Sequence, residues 1–129
     1  MRLLLDTHVL LWAALEPDRL SPGQRDGLED GANQLFVSAA TAWEIATKWR
    51  LGKLQQAAAV VNNYGLVLDR LAATELPIRG DVARRAGLWE VEHRDPFDRL
   101  LAAQAAADQL ILVSSDPAFI QFEDEQRLS

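Results

Sequence analysis

The sequence predicts an α/β fold, a three-layer α/β/α domain built on a central, mostly parallel sheet of four to five strands. Three observations lead there. Short apolar runs suited to buried strands alternate with longer helical stretches, the pattern of a parallel sheet covered on both faces. Helix starts are written out as Ser21-Pro22, Asp95-Pro96 and Asp116-Pro117, each a capping residue before a proline at the first helical position. A chain of 129 residues, 49% apolar and 25% charged, has the size and composition of a single domain, expected to span residues 1–129.

Each element follows from local pattern. Arg2–Leu5 reads as a short buried strand, and Thr7–Leu15 as a helix apolar nearly all round, hence buried. Ser21-Pro22 opens a helix running to about Asp30. Leu35–Val37 is the next strand, with Ser38 capping the helix after it. In that helix Ala42, Ile45, Ala46 and Trp49 fall at the spacing of a core-facing stripe, and Gly52 ends it. Residues Gln56–Ala72 are helical in pattern but interrupted by Asn62-Asn63 and Gly65. Thr74–Leu76 is a weak strand before Pro77, and Asp81–Leu88 a helix. Asp95-Pro96 opens a strong helix through Ala107, Leu110–Val113 is a clear buried strand, and Asp116-Pro117 begins a helical turn. The acidic stretch Glu123–Glu125 carries no signal.

Composition narrows the function. Cysteine is absent, which excludes disulfides and thiolate metal sites and fits a reducing cytoplasm. Asp6 and His8 break the apolar run that might pass for a signal peptide, and no stretch reaches the roughly 18–20 apolar residues of a membrane span. A cytoplasmic protein without membrane contact is expected. The net charge of −6 argues against a broad electrostatic grip on nucleic acid, although metal-bound acids would reverse the local sign.

Four acids stand at the ends of apolar stretches: Asp6 after Leu3-Leu4-Leu5, Glu44 in Ser38-Ala-Ala-Thr41-Ala-Trp43-Glu44, Asp98 in His93-Arg-Asp95-Pro-Phe-Asp98, and Asp116 after Val113-Ser-Ser115. Each has a plain explanation. Asp6 and Asp116 suit helix caps, Asp95 and Asp98 a capping box, and Glu44 an exposed partner of Lys48 one turn on. Their joint placement where strands end favours a gathered site, because ligands in parallel sheets bind at the carboxyl ends of strands. Carboxylates so gathered form a hard-oxygen site suited to Mg²⁺ or Mn²⁺. Ser38 and Thr41 offer hydroxyls that could orient such a carboxylate. The chemistry implied is metal-dependent phosphodiester hydrolysis.

These same residues carry a resemblance. Leu-Leu-Leu-Asp6-Thr7-His8, Ser38-x-x-Thr41-x-x-Glu44, His93-x-Asp95-Pro-Phe-Asp98-Arg99-Leu-Leu-x-Ala-Gln104-Ala105 and Val113-Ser-Ser-Asp116-x-x-Phe119 resemble the PIN-domain signature, and more narrowly VapC-type toxins of bacterial toxin–antitoxin pairs. The resemblance implies an endoribonuclease using Asp6, Glu44, Asp98 and Asp116 as an acidic quartet, with Thr7 and Ser115 as supporting polar groups. Asp6 and Asp98 would be the most direct ligands of Mg²⁺, for which Mn²⁺ could substitute. It further implies a structured or loop RNA substrate such as tRNA or rRNA, a cognate antitoxin protein and a homodimer. Asp95 is a helix cap first and a ligand second. His93 is expected to be structural before catalytic, and Arg99 to contact phosphate or pair with an acid. Trp12, Trp43, Trp49 and Trp89 could offer stacking surfaces, but Trp43 and Trp49 flank a core stripe and Trp12 lies in a buried helix, so packing is expected before stacking. Residues Gln121–Ser129 are polar where a last strand is expected, which leaves that edge of the sheet open.

The alternative is a catalytically inactive PIN-fold module that binds RNA or protein. A dehalogenase-type phosphotransferase would need a second aspartate where His8 stands, and a receiver domain would need paired acids there. A DNA-directed nuclease would be expected to carry basic helical additions that this chain lacks.

Overall fold

Strand β1 (Arg2–Leu5) is the centre of the molecule because its three leucines are apolar to both sides. Leu3 and Leu5 face one side of the sheet and Leu4 the other, and all three are fully buried. Such a strand is stable only when both sheet faces are covered. The structure, a computed structural model, describes residues 1–122 and 126–129; Glu123–Glu125 lie outside the described residues. The remaining strands are β2 (Gln34–Ser38), β3 (Ala73–Leu76), β4 (Ile111–Val113) and β5 (Gln126–Leu128). The order is β3-β2-β1-β4-β5, and every neighbouring pair is parallel.

Helices α1 (Thr7–Leu15), α2 (Pro22–Glu29), α3 (Ala39–Arg50), α4 (Ala58–Asn62), α5 (Tyr64–Arg70), α6 (Gly80–Leu88) and α7 (Pro96–Asp108) complete the three layers. On one face Leu3 and Leu5 pack with Val9 and Leu10 of α1, Ile45 of α3 and Leu68 of α5. On the other, Leu4 and Leu112 pack with Leu101 of α7, Phe119 and Phe122. Among the described residues no helix is long and apolar enough to cross a membrane.

Three local expectations are revised. Of the stripe Ala42–Ile45–Ala46–Trp49 only Ile45 is buried in the core: the buried residues of α3 are Ala40, Thr41, Glu44 and Ile45, while Ala46 and Trp49 are exposed. The helix is turned so that its acid points inward, and capture of a carboxylate outweighs burial of an indole. The helical stretch breaks at Asn63, as the Asn62-Asn63 pair led one to expect, into α4 and α5, but Gly65 lies within α5 and does not interrupt it. The polar end of the chain does supply a last strand. β5 pairs with β4 in register Ile111↔Gln126, and an edge strand tolerates polar residues because only one of its sides pairs.

Sheet order decides where a ligand can sit. From β1 the chain moves outward to β2 and β3, then returns to place β4 and β5 on the opposite side. The order of strands therefore reverses between β1 and β4, and a crevice opens beyond their carboxyl ends. Asp6 follows β1 directly, and Ser114, Ser115 and Asp116 follow β4.

Candidate active site

Asp6 is fixed by the strand it ends. Its backbone N–H donates to the Val113 carbonyl (3.0 Å), so the β1–β4 ladder continues one residue past Leu5 and holds Asp6 beside Ser114. One carboxylate oxygen accepts the Thr7 N–H at 2.7 Å, making Asp6 the cap of α1. The other accepts the hydroxyl of the fully buried Ser114 at 2.8 Å. Only 5% of Asp6 is exposed. Burial raises its carboxyl above the usual range; the Ser114 hydroxyl, the Thr7 amide and the His8 charge pull it back, and the Glu44 charge adds to the rise.

Thr7 joins Asp6 to the second acid. Its hydroxyl donates to one oxygen of Glu44 at 2.5 Å, and the ammonium of Lys48 holds the other oxygen. Lys48 and Glu44 are the i,i+4 pair expected from sequence, but Glu44 is only 3% exposed, so the pair is not a surface decoration. Burial lowers the Lys48 ammonium, yet its bond to Glu44 and the charges of Glu44, Asp95 and Asp98 win and raise it.

The third acid, Asp98, sits in the first turn of α7. Asp95 caps that helix, its carboxylate accepting from Phe97 N–H at 2.9 Å and Asp98 N–H at 3.5 Å. His93 Nε2 lies 2.7 Å from Asp98 Oδ2. Burial pushes the Asp98 carboxyl up to about 6; His93 works against this, while the charges of Asp95, Asp6 and Glu44 add to it. Asp6, Glu44 and Asp98 thus lie within electrostatic reach of one another.

Asp116 is placed apart. It caps the turn Pro117–Gln121, its carboxylate accepting from Ala118 N–H at 2.9 Å, and it is exposed. Its own N–H donates to Ser114 Oγ at 3.0 Å, so its backbone reaches Asp6 through a single hydroxyl. Asp116 and Asp6 also line one cavity of about 310 Å³ with His8, Val9, Trp12, Ser115 and Pro117.

Other expected residues fall into different places. Ser38 caps α3 through Ala40 N–H at 3.0 Å. Thr41 is buried, and among the described residues its hydroxyl has no hydrogen-bond partner. Ser115 accepts from Gln24 of α2 at 2.9 Å, and the hydroxyl on Asp6 is that of Ser114. Arg99 takes neither role expected of it: its guanidinium donates to the carbonyls of Ala86 (2.8 Å), Trp89 (2.5 Å), Val91 (3.3 Å) and His93 (2.7 Å). Those carbonyls belong to the end of α6 and the connection to α7, so Arg99 fixes the segment that carries His93. Trp43 is 58% exposed and meets Phe97 edge-on at 4.7 Å, beside Glu44 and Asp98 rather than in the core.

Sequence reasoning missed Ser114 and the His93–Asp98 bond. The Ser-Ser pair was visible, but deciding which serine faces Asp6 requires the β1–β4 register, in which Leu5 pairs with Val113.

The arrangement fits a hard divalent cation in donor type and in charge, being carboxylate-rich and self-repelling. It does not present a ready cage. Among the described residues no three acidic or imidazole groups stand close enough to hold a metal ion. Lys48 and His93 occupy oxygens of Glu44 and Asp98 that such an ion would compete for.

Residues 3–125 match the family model of the PIN domain. No curated protein matches the chain. Among solved structures it is similar to VapBC2 from Rickettsia felis bound to a DNA fragment from their promoter, at 17% identity and TM-score 0.71 over 99% of this chain and 98% of that one. It is also similar to DNA-bound VapBC from Salmonella typhimurium, at 16% identity and TM-score 0.70 over 99% and 97%. Similarity to FitAcB from Neisseria gonorrhoeae reaches 24% identity and TM-score 0.64 over 98% and 96%. At these identities the likeness is one of fold.

Proposed function

The chain belongs to the PIN-domain family, and from that premise we propose that it is a VapC-type toxin, a metal-dependent endoribonuclease neutralised by a cognate antitoxin. One observation carries the reading: Asp6, Glu44 and Asp98 are buried together at the strand ends, and their mutual repulsion helps hold Asp98 near 6. A fold does not gather mutually repelling carboxylates at a switch point for stability, since burying such charge is unfavourable by several kcal/mol, roughly, and the bonds from Thr7, Ser114 and His93 leave the Asp6 and Asp98 carboxyls still raised. The antitoxin is supported by the fold likeness to VapBC complexes. RNA as substrate, Mg²⁺ with Mn²⁺ as substitute, a homodimer and a cytoplasmic setting belong to the same reading.

Asp6 and Asp98 would hold the ion most directly, with Glu44 and Asp116 completing the site through water. When bound, the ion supplies polarisation of a phosphoryl oxygen and a water of lowered pKa. The protein's own contribution is orientation. Ser114 and the Thr7 N–H fix both oxygens of Asp6, the Thr7 hydroxyl fixes Glu44 relative to it, and His93 Nε2 holds Asp98. Lys48 keeps Glu44 compensated.

The rival, a PIN-fold module that only binds, draws on the engagement of Glu44 by Lys48 and Asp98 by His93. Incubating total cellular RNA with Mg²⁺ or Mn²⁺, and with EDTA, separates the two. The nuclease reading expects discrete fragments that require metal and fall at least 100-fold in an Asp6→Asn, Asp98→Asn protein, on the scale of losing transition-state charge stabilisation. Identical RNA profiles with and without metal would favour the binding module.

A further inference from the structure

We infer that the cavity between β1 and β4 is a nucleobase subsite, in which a base of the RNA stacks on Trp12 while its neighbouring phosphate lies over Asp6. The inference deepens the nuclease reading and rests on it for the identity of the ligand.

Position is the first argument. The cavity occupies the switch point of the sheet, where parallel α/β folds bind ligands, and Asp6 is part of its wall. A group seated there lies against Asp6 and Asp116, two of the acids of the proposed metal site. Size is the second. At about 310 Å³ the cavity lies at the lower end of the range for small-molecule sites, room for one base and not for a helix or strand.

The walls supply the chemistry. The rings of His8, Trp12 and Pro117 and the side chain of Val9 line it. The rings of His8 and Trp12 stand 6.0 Å apart at 52°. The same two residues line a second cavity, which contains Arg19, and the Arg19 guanidinium lies 5.1 Å from the Trp12 ring centre. The indole therefore borders both cavities, and Arg19, which lies over its ring, lines only the second. Unstacked RNA bases are held on aromatic faces of this kind.

Ser115 gives the subsite a reader. Its oxygen accepts from the amide of Gln24, which is completely buried. A hydroxyl that accepts from a fixed donor has its own proton left to give. Ser115 lines the cavity, so that proton is available to a keto oxygen or ring nitrogen on the edge of the base.

The test uses the whole protein with Mg²⁺ to offset the acids; a nucleoside 5′-monophosphate has no phosphodiester bond to cleave, so binding alone is read. Each of the four nucleoside 5′-monophosphates is titrated while the indole N–H resonances of the tryptophans are followed by NMR, Trp12 being assigned by its loss in Trp12→Phe. The expected result is a saturable shift at Trp12 for at least one nucleotide, with affinity lowered about fivefold in Ser115→Ala, the size of one hydrogen bond. The His8→Ala variant changes an exposed residue outside the core and should weaken binding of every nucleotide alike. Absence of a Trp12 shift with any nucleotide overturns the inference, as does a shift confined to Trp43. Metal-dependent RNA cleavage without a Trp12 response would leave the nuclease standing and remove the subsite. A Trp12 response without cleavage would keep the subsite and remove the chemistry.

Discussion

Ser114 shows how one hydroxyl can hold a site together. It donates to Asp6 Oδ2, accepts the Asp116 N–H, and sends its own N–H to the Leu128 carbonyl at 3.0 Å. Removing the hydroxyl leaves a buried carboxylate with one donor fewer. Ser114→Ala should therefore lower stability by about 1–3 kcal/mol, read as a shift of the denaturant midpoint with unchanged slope. In an Asp6→Asn background the same change should be about 1 kcal/mol milder, because the acceptor is then neutral. Strict additivity of the two substitutions would show that the bond contributes nothing specific. The residue was hard to identify from sequence for a simple reason: adjacent serines point to different surroundings, and nothing local says which faces Asp6.

At the scale of elements, the segment joining α6 to α7 is held by Arg99, whose guanidinium spans carbonyls from Ala86 to His93. A lysine at that position keeps the charge but lacks the planar fork that reaches several acceptors at once. Arg99→Lys should cost about 2–3 kcal/mol of stability and loosen His93 from Asp98, seen as faster amide exchange over residues 89–95. The salt dependence of RNA binding should keep its slope, since no phosphate contact is lost. A slope smaller by about one unit with unchanged stability would restore the phosphate-contact role. Elements with strong local signals were legible: Ser21 caps α2 and Asp95 caps α7, just where the Ser-Pro and Asp-Pro pairs stand. The inward turn of α3 was not, because periodicity weighs apolar side chains and cannot foresee that Thr7 and Lys48 make burial of Glu44 favourable. β5 was missed for a related reason. Its stabilisation comes from pairing with β4 across the chain, not from its own composition.

For the molecule as a whole, the fold brings Asp6, Glu44 and Asp98 from separated sequence segments within electrostatic reach of one another, and that acidic crevice makes stability depend on pH. Burial raises Asp98 from 3.8 to about 6 in the folded chain. Between those values the folded state keeps a proton that the unfolded state has released, so stability must fall as pH rises through that window. The loss should be on the order of 1–2 kcal/mol once solvent screening is allowed for, complete above about pH 6. Thermal unfolding in EDTA should thus show a higher midpoint at pH 5 than at pH 7 for this contribution, and Asp98→Asn should flatten the difference. A midpoint that rises steadily from pH 4 to pH 7 in both proteins would contradict it. The acidic residues themselves were legible in sequence, because each ends an apolar run. Their partners Ser114 and His93 were not, since only the packed sheet brings them together.

The central claim is that these gathered carboxylates hold a divalent cation, and calorimetric titration of Mn²⁺ into the metal-free protein at pH 7 tests it most directly. Saturable binding in the wild-type chain, weakened at least tenfold in Asp98→Asn as expected when a coordinating charge is lost, is the predicted result. No saturable heat, or binding that Asp98→Asn leaves unchanged, would contradict it and leave the crevice a site held together by Lys48, His93 and Ser114 alone.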